Sequence, residues 1–454
     1  MNDLSQDMIN HAEELIGRKD WNGLKDYLLR MEPPDGADFL EGLGPENALL
    51  VFRLLHSERA GEIFAELELP AQEDLIRKMT DSRARAVILG LSPDERTEFF
   101  EDLPSNLVRK LVYLLPDEER KEALELLGYP EDSVGRLMTP DYVAIRPGWT
   151  VKEAFRHLRV FGSDAETLNM VYVIDDSGRL IDDIPIRRLI LADPEERVEK
   201  LQDQSFISLS ADADQEEAVR LMERYDLVAL PVVDRSGSLL GIVTIDDALE
   251  VAQEEFTEDV EKRAAISPLG LNYTHASSGM LFRKRIVWLV VLALAGLFSA
   301  SVISFFEETL SGWIALAFFI PILIDSGGNT GSQSATLIIR ALALGELSLD
   351  KWWAVVKKEL RVGIFIGLTL SVLVSLFGTF WGGGVAMGLV IGLAMLVVVI
   401  WSNLIGSILP IFLFRLRLDP AVVSSPLITT TIDITGLAIY FLIAKMVIRI
   451  FACF

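Results

Sequence analysis

The feature that most limits this chain is a set of five long apolar runs, all after Arg283, near residues 286–306, 313–343, 360–381, 384–414 and 422–448. Runs of about 20 apolar residues cross a bilayer as helices. The stretch after residue 282 therefore reads as a five-span helical membrane domain. Charge orients it. Arg283, Lys284 and Arg285 precede the first run, Glu307 and Glu308 follow it, and the next loop is basic at Lys351, Lys357 and Lys358. Trp381 and three glycines then form an uncharged loop, before Arg415 and Arg417 return. The positive-inside rule puts the N-terminal side in the cytoplasm and, after five crossings, the C-terminus outside. Lys445 and Arg449 run against that trend. The expected location is the cell (inner) membrane, multi-pass.

Up to Phe282 the chain carries 58 acidic and 30 basic residues, a balance of −28; from Arg283 onward it carries 8 and 12, a balance of +4. So acidic a surface repels nucleic acid. The start, Met1 to Leu15, is polar and unlike a secretory leader, so the acidic region is expected in the cytoplasm. Cys453 is the one cysteine, which excludes disulfides, and His11, His56, His157 and His275 lack ligand spacing. Any bound metal is then a hard cation held by oxygen: Mg²⁺, Ca²⁺ or Mn²⁺. No phosphate-binding glycine loop, zinc-protease helix or nucleophile elbow occurs, so an enzyme is not expected.

Within the acidic region, Pro45, Pro70, Pro93 and Pro116 recur at a near-fixed period beside acidic or polar residues. Proline followed by acids suits a helix start, and the period suggests a small all-α solenoid over 1–132. Next comes a repeat: Tyr172–Ile181 aligns with Pro231–Leu240 at an offset of 59, each copy reading helix, strand, Ser-Gly turn, strand. That α/β unit resembles a tandem pair of cystathionine β-synthase (CBS) domains, assigned to 133–248. The first copy has Asp182 where the second has Gly241. Such pairs bind adenosine nucleotides, metals or nothing, and ATP is the nucleotide the pair could hold. Residues 249–282 read as an acidic connecting helix and linker, either a solvated spacer or a gating element, leading to the membrane domain over 283–454.

Asp433 lies mid-way along the last apolar run. An ionisable group at that depth is costly and marks a functional site by default. Ser425, Thr429 and Asp433, four apart, share one helix face. In the second span Asp325, Asn329, Ser332, Gln333 and Thr336 share a face, and in the fourth Asn403 and Ser407 do. Such seams can simply hold helices together. Two intramembrane carboxylates with no intramembrane base beside them favour a cation path instead. Glycine pairs at Gly363/Gly367 and Gly388/Gly392 permit close helix packing.

Together, a helical domain, a CBS pair, an acidic connecting helix and the segments Pro321–Gln333 and Pro426–Gly436 resemble the MgtE family of magnesium transporters. The resemblance implies a homodimer with its pore at the subunit interface, Asp433 holding hydrated Mg²⁺, and Asn329, Ser332 and Ser425 lining the path with Asp325 on the same seam. It also implies closure when cytosolic Mg²⁺ binds the soluble domains. The expected bridging acids are Glu216, Asp226, Asp247, Glu250, Glu255, Glu258 and Asp259, with Asp419 on a cytoplasmic loop and Glu62, Asp94 and Glu98 from the helical domain. The leading expectation is a Mg²⁺-selective channel admitting Mg²⁺ down its gradient and closed by cytosolic Mg²⁺. The alternatives are a Mg²⁺ exchanger coupled to Na⁺ or H⁺, and a nucleotide-sensing CBS membrane receptor.

Overall fold

The computed structural model describes residues 11–452 except 13, 102, 271–272, 275, 344–345, 348–350, 382–383 and 417–424. The expectations at Asp419, His275 and Cys453 fall outside the described residues. The chain divides into two compact units, 1–255 and 256–454.

In the first unit a helix, Trp21–Leu28, leads into two interleaved series of short helices. One starts at residues 33, 57, 81 and 105, the other at 45, 69, 93 and 117. Within each series the starts are 24 residues apart, and alternate helices stack on one another. Pro70 and Pro93 sit in the first turn and Pro116 caps its helix. There a missing N–H costs nothing, because the first amides of a helix have no intrahelical acceptor. The stack is sealed by one core that includes Phe39, Phe52, Phe64, Phe99 and Phe100. Gly61 and Gly90 let two layers touch backbone to backbone: a Cβ on Gly61 would lie 2.4 Å from the Gly90 carbonyl oxygen.

Two three-stranded sheets follow, β1-β2-β3 (Ala144–Ile145, Met170–Ile174, Leu180–Pro185) and β4-β5-β6 (Leu209–Ser210, Ala229–Val233, Leu239–Thr244). Each has a parallel pair and an antiparallel pair, and the registers superimpose at the offset of 59: Met170 faces Pro185 as Ala229 faces Thr244. Gly178 and Gly237 take the same left-handed conformation, φ 85°, in the two hairpin turns, which a side chain would strain. Asp182, where the copies differ, is fully buried. Its carboxylate accepts from the amides of Asp183, Asp203 and Gln204 at 3.1, 2.8 and 3.1 Å. The departure therefore has a structural cause: it pins the chain leaving the first copy. At the equivalent Gly241 a Cβ would lie 2.6 Å from the Thr139 carbonyl oxygen.

The helix Ile245–Arg263 begins in the first unit and continues into the second without a break. The second unit holds five helices long and apolar enough to span a membrane: Ser278–Phe305, Ile314–Ala343, Trp352–Trp381, Val385–Arg415 and Ser425–Phe451. The first and third begin several residues before the apolar runs read from sequence. Helical hydrogen bonding propagates through the flanking bases, and Lys284 among them donates to the Pro268 carbonyl. The third and fourth spans pair most tightly, through glycine. A Cβ on Gly367 would lie 3.0 Å from Leu396, one on Gly392 2.8 Å from Ser375, and one on Gly388 2.0 Å from Thr379. No residue of the first span is buried.

Candidate functional site

In the second span Gly327, Gly328 and Gly331 form a smooth face against the fifth. A Cβ at these positions would lie 3.0 Å from Ile432, 2.9 Å from Thr429 and 2.3 Å from Ile432 respectively. Beside that face runs the polar stripe, where Asn329 donates to Asp325 at 3.2 Å. Ser425 donates to Ser332 at 2.9 Å across the helix pair. Contacts of 332 with 425 and 328 with 429 make the pair antiparallel, and continuing that register brings Asp325 level with Asp433.

Of the threonines in the fifth span, Thr429 shares the face of Asp433, whereas Thr431 and Thr435 lie about 160° away around the helix at 100° per residue. Thr429, Thr430, Thr431 and Thr435 each donate to the carbonyl four residues back, at 2.8–2.9 Å. Their protons are spent on their own helix, so the hydroxyls present only lone pairs outward, and that of Thr435 is taken by the Trp401 indole N–H at 3.0 Å. At Thr429 such lone pairs attract cations. Asp433 lies one turn away, with Oδ1 buried and without a hydrogen-bond partner among the described residues. The next bases along its helix, Lys445 and Arg449, lie about 18 and 24 Å farther along the axis at 1.5 Å per residue. Asp325, Asn329, Gln333 and Thr336 are exposed on the single chain.

The fourth-span seam read from sequence is corrected. Asn403 and Ser407 are buried, at 2% and 0% exposure. Asn403 donates to the Glu359 carbonyl and side chain at 2.7 and 3.0 Å, and Ser407 to the Leu404 carbonyl at 3.0 Å. Asn403 ties the fourth span to the third, whereas Ser407 is spent on its own helix. Glu359 is itself a correction: it is a third carboxylate inside the bundle, within the span Trp352–Trp381. The sequence gives it no mark, because Lys357, Lys358 and Arg361 beside it look like a loop.

The acids of the first unit fall into two groups. Asp94, Asp247 and Glu250 come into one electrostatic neighbourhood. Asp94 is buried, its Oδ1 without a partner among the described residues. Burial, then the Asp247 charge, holds its carboxyl well above the usual range. Burial likewise raises Asp247, although Thr244 donates to it at 2.5 Å. The surrounding protein, then the charges of Asp247, Glu66 and Glu254, push Glu250 to about 7. Glu95, Glu166 and Asp246 act on the same group. None of Glu66, Glu95, Glu166 and Asp246 was picked out in the sequence, because they come from separate elements with no shared spacing.

The others are engaged locally or exposed. Glu255 accepts from Gln215 at 3.2 Å, and Glu216 and Glu98 are exposed with partners of their own. Asp226 closes the helix Gln215–Tyr225 in a left-handed conformation. Glu62 pairs with Arg59. In the second unit Glu258 pairs with Lys262 at 2.8 Å and Asp259 with Arg263 at 3.1 Å. Among the described residues, no three carboxylate, thiol or imidazole groups converge to hold an ion directly.

Comparison with known proteins agrees with this layout. Residues 320–443 match the family described as MgtE, a divalent cation transporter, residues 31–132 the MgtE intracellular N domain, and residues 134–195 and 198–254 the CBS domain. The chain is 39% identical to the magnesium transporter MgtE of Thermus thermophilus over 96% of this chain and 98% of that one. It is 36% identical to the MgtE of Bacillus subtilis over 92% of each. A crystal structure of the cytosolic domain of the Mg²⁺ channel MgtE in complex with ATP superimposes with a TM-score of 0.51 at 36% identity, covering 54% of this chain and 99% of that one.

Proposed function

We propose, from the premise that this chain belongs to the MgtE family of magnesium transporters, that it is a Mg²⁺ channel admitting the ion to the cytoplasm and closed by cytosolic Mg²⁺. The observation that carries the pore is Asp433: a carboxylate oxygen shut away from water and without a partner among the described residues, one turn from the Thr429 hydroxyl, whose proton is spent on the Ser425 carbonyl. Mg²⁺ gives up its waters reluctantly. Ser332, Ser425, Asn329 and the Asp325 carboxylate suit an ion that keeps its inner shell and is held through water. A divalent ion entering a negative interior gains about 4.6 kcal/mol per 100 mV, twice the single-charge value, so no ATP hydrolysis is required.

The stripe is exposed on one chain, and a second copy facing it would enclose the path. That supports a homodimer with the ion between subunits, spans oriented with the N-terminus in the cytoplasm and the C-terminus outside.

Regulation is proposed to lie in the acidic unit. Asp94, Asp247 and Glu250 are held together against their own repulsion, and Mg²⁺ relieves that repulsion when it rises. Closure follows if the compact arrangement binds the ion more tightly than the loose one. The helix Ile245–Arg263 is the element that would carry the change. The remaining acids, Glu62, Glu98, Glu216, Asp226, Glu255, Glu258, Asp259 and Asp419, are proposed as secondary bridging groups. ATP is proposed as a ligand of the CBS pair, a reading supported by the complex of a related MgtE cytosolic domain with ATP.

The test separates channel from exchanger. In proteoliposomes without Na⁺ or H⁺ gradients, an inside-negative potential should drive Mg²⁺ uptake, and millimolar internal Mg²⁺ should suppress it. Uptake that requires an opposing Na⁺ or H⁺ gradient would favour exchange.

A further inference from the structure

Glu359, Asn403 and Ser334 bring three spans to one point. The Asn403 amide donates to Glu359 Oε2 at 3.0 Å and to the Glu359 carbonyl at 2.7 Å. The Ser334 hydroxyl has Glu359 Oε2 at 3.0 Å and the Asn403 carbonyl at 3.3 Å within reach. All three side chains are buried, with Glu359 at 9% exposure among exposed neighbours Lys357, Lys358 and Arg361. Gly363, one turn beyond Glu359, admits the approach: a Cβ there would lie 3.2 Å from Asn403 Cβ.

Ser334 is two residues from Ser332, which places the two about 200° apart around the second span at 100° per residue. A bond that draws Ser334 toward the third and fourth spans therefore turns Ser332 toward the fifth. The neighbouring contact between the second and fourth spans, Gly331 against Gly406, is backbone on backbone, and Ser334 beside it supplies the directional polar link to the third and fourth spans. We propose that Glu359 is a positioning residue whose hydrogen bonds with Ser334 and Asn403 set the rotation of the second span, and with it the direction in which Asp325, Asn329 and Ser332 face. It does this without touching the ion. This inference rests on the ion-path reading above.

Both donors to Glu359 are neutral and both reach Oε2, so a glutamine oxygen can take its place. The direct readout is geometry. With Cys453→Ser as background, Ser332→Cys with Ser425→Cys should cross-link under mild oxidation in the full-length protein in vesicles. Adding Glu359→Ala, or the gentler Ser334→Ala, should slow the cross-link, while Glu359→Gln should leave it unchanged. In a chain with native serines, maximal Mg²⁺ flux should fall about tenfold for Glu359→Ala, with half-saturating Mg²⁺ unmoved and Glu359→Gln restoring flux. Cross-linking at the wild-type rate in both Glu359→Ala and Ser334→Ala would overturn the proposal. So would a glutamine variant as impaired as the alanine one, since the negative charge would then be what matters. Asp433→Ala, run in parallel, keeps the two readings apart: retained flux there would sink the ion path whatever the cross-link shows.

Discussion

Asp182 and Gly241 occupy matched positions in the two sheets, and their surroundings ask for opposite things. Removing the Asp182 carboxylate takes the charged acceptor from the partly buried amide bonds of residues 183, 203 and 204. Each hydrogen bond to a charged group contributes about 1.5–3 kcal/mol. Asp182→Ala should therefore destabilise the first CBS copy by about 3 kcal/mol or more by the same reckoning, with amide exchange at 203 and 204 faster than wild type in the full-length protein. Wild-type exchange at both would refute the pinning role. At this scale the sequence was readable where a residue broke its local pattern. Asp433 stood out because nothing charged surrounds it. Glu359 did not, because three bases within two residues of it disguise a buried acid as a loop residue, and only the neighbouring helices reveal the burial.

Among elements, the glycines divide by what faces them. A Cβ on Gly406 would lie 2.2 Å from the Gly331 carbonyl oxygen, whereas around Gly296 in the first span nothing lies within 4 Å. Overpacking of this kind costs about 1–3 kcal/mol. Gly406→Ala should lower the thermal midpoint in detergent, while Gly296→Ala should leave it level or raise it, since alanine favours helix by about 1 kcal/mol. Equal effects would contradict the packing described. The spans and the doubled sheet unit were legible because a long apolar run and an exact repeat of 59 are both written locally. Pairing was less so. The glycine spacings at Gly363/Gly367 and Gly388/Gly392 announced close contact, but not that the two spans would contact each other. Asn403 and Ser407 share the spacing of an ion-path seam, and spacing alone does not separate glue from path.

At the level of the whole molecule, charge is the organising quantity: −28 before Arg283 and +4 after it. Glu250 is raised from 4.5 to about 7 and Asp183 from 3.8 to about 6. Carboxyls raised on folding bind protons more tightly when folded, so they favour the folded state at low pH and that advantage is lost as pH rises toward their folded values. In metal-free buffer the acidic unit should therefore loosen between about pH 4.5 and 7, and added Mg²⁺ should restore protection more at pH 7.5 than at pH 5. Hydrogen exchange across residues 94–101 and 245–255 would measure it; Mg²⁺ protection independent of pH would contradict the role given to these acids. The acidity was plain in composition, but which carboxylates meet was not, since the group joins the helical stack to the second sheet unit across more than a hundred residues.

The most direct test of the central claim is Mg²⁺ uptake into proteoliposomes under an inside-negative potential, wild type against Asp433→Ala, with intact folding verified by size exclusion. If Asp433 meets the permeating ion, uptake by the alanine variant should fall to the level of empty vesicles. Uptake equal to wild type would contradict the account.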